Sequence, residues 1–109
     1  MFKLTQERLV KDWPATIHLP ADGGKVVEES ITLDLLILDT DAAFKLLNGD
    51  EPTFKKVLKG WTGIGDADGN ALPFSEESLN LVLKSSFFVI AAARAYQQAS
   101  SGQAAEKNS

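Results

Sequence analysis

Polar and apolar residues alternate along "KVVEESITLDLLIL", residues 25–38. Ile31, Leu33, Leu35 and Ile37 fall on one side of an extended chain, and Glu28, Ser30, Thr32 and Asp34 on the other. That period of two predicts a strand with one covered face and one wet face. The alternation fails at Leu36 and Leu38, so the end of the strand is apolar on both faces. Such an end should be buried on both sides or contacted by a partner, which makes Leu36 and Leu38 candidate partner-binding residues. Upstream, "ATIHLP" runs into Asp22-Gly23-Gly24, whose glycines supply the positive φ angles of a tight turn. The two runs therefore predict an antiparallel hairpin.

After Leu38 the pattern turns helical. Asp39, Thr40 and Asp41 are candidate N-caps and Asn48-Gly49 is a stop signal, so a short helix is expected between them. Pro52 suits the first turn of a second helix. There Phe54, Val57, Leu58 and Trp61 follow the i, i+3, i+4, i+7 rule, with Lys55, Lys56 and Lys59 outside and Gly60 and Gly63 ending it. A last helix is expected from about Ser75 to about Ala99. On one continuous helix Asn80, Lys84, Arg94 and Gln98 share a polar stripe, with Phe87 and Ala91 in its middle. Phe88, Val89 and Ile90 cover other directions, leaving two turns apolar nearly all round. Either the rest of the chain wraps this helix completely, or part of it stays free for a partner, and Phe87 and Ala91 are then further candidate partner-binding residues.

The expected fold is α+β: an N-terminal antiparallel β-hairpin followed by two short helices and one long C-terminal helix. A single domain should span residues 1–99. The polar "SSGQAAEKNS" has nothing to bury and should be a flexible C-terminal tail over residues 100–109.

Composition narrows the class further. The 109 residues are 44% hydrophobic and 24% charged, which fits one globular domain with its own core. With no cysteine, disulfides, zinc–thiolate sites and thiol catalysis drop out. The net charge of −4 and the lack of a basic run argue against nucleic acid. "MFKLTQERLV" lacks the apolar region of a signal peptide, and "FFVIAAA" is far shorter than the ~20 residues of a membrane span. A soluble protein that acts where it is made is the expectation, without membrane partners.

Candidate chemistry concentrates in "GDADGNALPFSEES", residues 65–78. Asp66, Asp68, Asn70 and Glu77 occupy the first, third, fifth and twelfth positions of a calcium loop. The sixth, where glycine makes the sharp turn, is Ala71, and the eighth is Pro73. Turn chemistry explains more of the stretch. "DADGN" suits side-chain-to-backbone bonds, Ser75 an N-cap, Glu76 and Glu77 the first helical turn, and Phe74 with Leu79 a hydrophobic staple. A small calcium- or ligand-binding module on the Asp66–Glu77 loop stays as the alternative reading. The single His18 lies in a strand without a nucleophile to activate, and no phosphate loop is present. Neither an enzyme nor a cofactor is implied.

"MFKLT" at the start, a strand pair around a Gly-rich turn, "LKGWTGI", "DADGNALPFSEESL", a terminal helix with "AYQQA" and an end in "KN" follow in that order. Together they resemble the tail assembly chaperones of long-tailed bacteriophages over nearly the whole chain. The resemblance implies a non-enzymatic protein of the host cytoplasm, absent from the mature virion. It implies binding to the long, helical, apolar tape measure protein, and recruitment of tail tube protein through a longer form made by ribosomal frameshifting. Self-association is left open.

The resemblance also yields a test on the gene. Glu106-Lys107-Asn108 can be encoded GAA AAA AAC, which contains the slippery heptamer A AAA AAC. The polar stretch before it would serve as a tether for an appended domain. The expected outcome is a minor, longer product sharing residues up to about Asn108. Codons such as AAG AAT there, with no open −1 frame downstream, would instead leave Lys-Asn as an ordinary solvated end.

Overall fold

A computed structural model describes residues 1–4 and 7–105. The alternating runs form β1 (Arg8–Ala21) and β2 (Lys25–Ile37), joined at Asp22–Gly24, where Gly23 and Gly24 take φ of 74° and 78°. The helices are α1 (Thr40–Leu47), α2 (Glu51–Val57), α3 (Glu76–Val82) and α4 (Ser86–Ser100), and a third strand, β3 (Leu58–Thr62), completes an antiparallel sheet of order β1-β2-β3. The Glu106-Lys107-Asn108 stretch lies outside the described residues.

This architecture corrects the expected hairpin with two short helices and one long one in two places. The first is β3. The spacing of Phe54, Val57, Leu58 and Trp61 suits a helix, but α2 ends at Val57 and the chain extends from Leu58. Leu58 and Trp61 then stand opposite Leu35 and Leu33 on the core side, and a register shift between them puts Gly60 opposite Asp34 on the other face. The free edge of β2 decides between the two readings, since its backbone groups need partners. It pairs Leu33 with Trp61, Asp34 with Gly60 and Leu35 with Leu58.

The second correction is the last helix, which is two helices bent by 103° across Leu83–Ser85. The Ser85 side chain accepts from the Phe88 N–H and starts α4 afresh. Serine competes with the helix backbone in this way, so "KSS" is a cap rather than a helix interior. The break resets the helical phase, and the stripe drawn from Asn80 to Gln98 does not exist as one face.

At the starts of α1 and α2, Asp39 and Asp50 serve as N-caps, accepting from the Ala42 and Thr53 N–H groups at 3.2 Å each. Asp50 also accepts from the Thr53 hydroxyl, and that bond holds its carboxyl below the usual carboxylate range.

One irregularity in the sheet ties three strands together. The β1–β2 register shifts between Val10 and Trp13, and Asp12 there takes the left-handed φ of 55°. Asp34 Oδ1 on β2 accepts from the Asp12 N–H at 2.9 Å, so the bulge has a partner. A Cβ at residue 60 of β3 would meet Asp34 Oδ2 at 2.5 Å, so glycine leaves the carboxylate its room.

α4 lies on the apolar side of the sheet, chiefly on β1. Its buried Ala92, Ala93 and Ala95 join Ala15, Ile31, Leu33 and Leu35 in the core. Small side chains there let the helix backbone approach the strands closely. Tyr96 is fully buried, and its Oη accepts from the Leu38 N–H at 2.9 Å. Gln97 donates to the Ala43 carbonyl at 2.8 Å, and Gln98 accepts from the Trp13 indole at 3.4 Å. Three successive side chains thus reach α1, the β2–α1 junction and β1.

Tyr96→Phe removes the acceptor for the Leu38 N–H and should cost about 1–3 kcal/mol in denaturant unfolding. Burial, the leading cause, raises the Tyr96 pKa above its ordinary 10.0. A raised pKa gives stability that is complete below the unfolded value and lost as pH rises through the folded one. The parent should therefore lose stability above about pH 10 more steeply than Tyr96→Phe, which lacks the ionising group.

Candidate interaction face

α1 has more apolar residues than its packing uses. Ala42 and Leu46, one turn apart, are buried, while Phe44 is 61% exposed and Leu47 62% exposed. On α4, Phe87 is 39% exposed and Ile90 57% exposed. A groove of about 600 Å³ between the end of α1 and α4 is lined by Leu46, Leu47, Val89, Ile90, Ala93 and Arg94, among others. A smaller hollow of about 100 Å³ continues from Ile90 to Phe87, Thr16 and His18 at the edge strand. Leu47, Ile90 and Phe87 therefore follow one another along the two hollows, and Phe44 is exposed one turn from Leu47 on α1. Adjoining exposed apolar residues of this kind mark interaction surfaces more often than scattered ones do.

The four residues singled out from the sequence are placed differently. Phe87 belongs to this face. Ala91 is only 4% exposed, packed beside Thr16 in the wall of the same hollow, so it supports the face without presenting surface. Leu36 and Leu38 are half-buried and line neither hollow. Leu36 sits across from Leu9, and Leu38 packs on the core and borders a polar cleft with Glu7, Asp39, Asp41 and Lys45. Phe44, Leu47 and Ile90 were missed, although two apolar residues three apart on the back of α1 are a visible signal.

The remaining polar clusters have local partners. His18 faces Glu28 across the hairpin, 3.5 Å away. Lys45 pairs with Asp41 at 3.2 Å, and that bond raises its pKa. Asp66 Oδ1 accepts from the Asp68 and Asn70 N–H groups at 2.9 Å each, closing a turn in which Gly69 has φ of 83°. Ser75 caps α3 by accepting from the Ser78 N–H, and Ser78 Oγ returns by accepting from the Ser75 N–H. Trp61 donates to the Leu72 carbonyl at 2.8 Å and meets the Phe74 ring edge-on at 4.8 Å, fixing the loop to the sheet. Among the described residues no group of three or more His, Cys, Asp or Glu is placed to hold a metal ion, and no single helix is long and apolar enough to cross a membrane.

The loop geometry predicts distinct substitution effects. Asp66→Asn keeps the accepting Oδ1 and should be near neutral, whereas Ser75→Ala should cost about 1 kcal/mol through the lost cap. Thermal unfolding of the two variants checks this. Calorimetry showing tight calcium binding that Asp66→Asn abolishes would restore the metal reading.

Comparison with known proteins adds one relationship. No curated protein and no solved structure matches the chain. The family model described as YdaY prophage protein matches residues 40–108, from the start of α1 through α4 and beyond. That span is more than half of the sequence and carries Phe44, Leu47, Phe87 and Ile90. The chain is phage-derived and belongs to the YdaY prophage protein family.

Proposed function

We propose that the protein is a phage tail assembly chaperone, non-enzymatic and active in the host cytoplasm, which holds the tape measure protein soluble during tail morphogenesis. The observation that carries this reading is the run of exposed Leu47, Ile90 and Phe87 along two adjoining hollows, with Phe44 exposed nearby on α1, on a small prophage protein. A chaperone of this kind needs reversible apolar contact on one side and a wet, charged exterior elsewhere, and the net charge of −4 supplies the second. The sequence resemblance to tail assembly chaperones supports the same reading. Recruitment of tail tube protein belongs to the frameshifted longer form.

Co-expression with the tape measure protein of the same prophage tests the proposal. The parent chain should raise the soluble fraction of that protein and co-purify with it. Phe87→Ser and Ile90→Ser should each weaken both effects. Because both side chains are exposed, each should destabilise the chaperone by less than the ~3–5 kcal/mol of a buried Phe truncation. A tape measure protein equally insoluble with and without the chain would overturn the reading.

A further inference from the structure

Resting on the reading of this face as a binding surface, we infer that its occupant is an amphipathic α-helix with a single carboxylate beside its apolar stripe, set against Arg94. The helical form follows from the groove's walls. Apart from the Asn48-Gly49 turn at the end of α1, they are side chains of α1 and α4, whose backbone groups are bonded within each helix. An extended partner laid there would bury N–H and C=O groups with nothing to bond, whereas a helix satisfies its own.

The carboxylate follows from Arg94. It is exposed and lines both the groove and the smaller hollow. Among the described residues it is the only charged side chain lining the groove. The ion pairs there are His18–Glu28, Lys45–Asp41 and Lys55–Glu51, and none uses Arg94. An apolar partner covering the groove would strip water from a guanidinium left without a counter-charge, which is costly. A carboxylate on the partner supplies that charge and can accept two parallel N–H bonds. With a net charge of −4 the chain repels acid-rich partners, so one carboxylate fits and a run of them does not.

Two synthetic helical peptides sharing a Leu/Ile stripe and differing in one flanking residue, Glu or Lys, test this against the full chain by fluorescence anisotropy. The Glu peptide should bind about ten-fold more tightly, and Arg94→Glu should reverse the order with an unchanged melting temperature. A third peptide, with proline in its middle, should lose binding because it cannot hold the helix. Equal binding of the Glu and Lys peptides, or an order that Arg94→Glu leaves unchanged, overturns the carboxylate. If neither helix binds while the tape measure protein is still held soluble, the helical occupant is wrong and the chaperone reading survives. If neither helix binds and that protein is not held either, both fall.

Discussion

Everything else in the fold hangs on the seating of α4 against the sheet. Tyr96, Gln97 and Gln98 are consecutive, so they point in three directions from the helix axis, and each finds a polar partner on a different element. The hydroxyl of Tyr96 satisfies the Leu38 N–H where β2 gives way to the turn before α1. Its ring fills the core beside Leu33 and Leu35, all three without measurable exposure. A buried donor without a partner costs more than an average hydrogen bond contributes, so this contact fixes where β2 ends and α1 begins. The position of α1 in turn sets the groove: Gln97 draws α1 to α4 through Ala43, and the groove lies between them.

That coupling explains why a small chain can keep an apolar face without losing its core. The inward sides of α1 and α4, through Ala42, Leu46, Ala92 and Ala95, complete the core with the sheet. The residues turned away from it are surplus to stability, because burying them within one chain would require another element to cover them. Among the described residues no element covers them. Phe44, Leu47 and Ile90 are therefore left exposed on the outer sides of helices whose inner sides complete the core.

The legible parts of the sequence were those governed by one dominant pattern. The β2 alternation, the Asp-Gly-Gly turn and the Ser75 cap each depend on neighbours within a few residues, and each stands where the pattern puts it. β3 was not legible, because a register shift keeps Leu58 and Trp61, three apart as in a helix, on the core side, and the choice rests on the open edge of a strand twenty-odd residues upstream. The break at Ser85 carried a local signal that the strong apolar run after it concealed. Phe87 and Ala91 lie one turn apart within α4 and line the same hollow, but Ala91 is covered next to β1 while Phe87 stays partly exposed. The Asp12 bulge, Asp34 and Gly60 form a three-strand arrangement that no single stretch announces.

The family match begins where α1 begins and leaves the β1–β2 hairpin outside it. The division coincides with a physical one. The exposed apolar face lies within residues 40–108 save for its border at Thr16 and His18, while Leu36 and Leu38 lie outside that span. The hairpin supplies the floor on which α4 rests, and its wet side carries Glu28, Ser30, Thr32 and Asp34 toward solvent. A floor can vary in sequence provided it stays flat, apolar on one side and paired at its edge. The same α1 and α4 bury one side in the core and leave apolar residues of the other exposed. Apolar residues that a core does not need are the clearest physical departure in this fold, which makes the outer sides of α1 and α4 the first place to test for a partner.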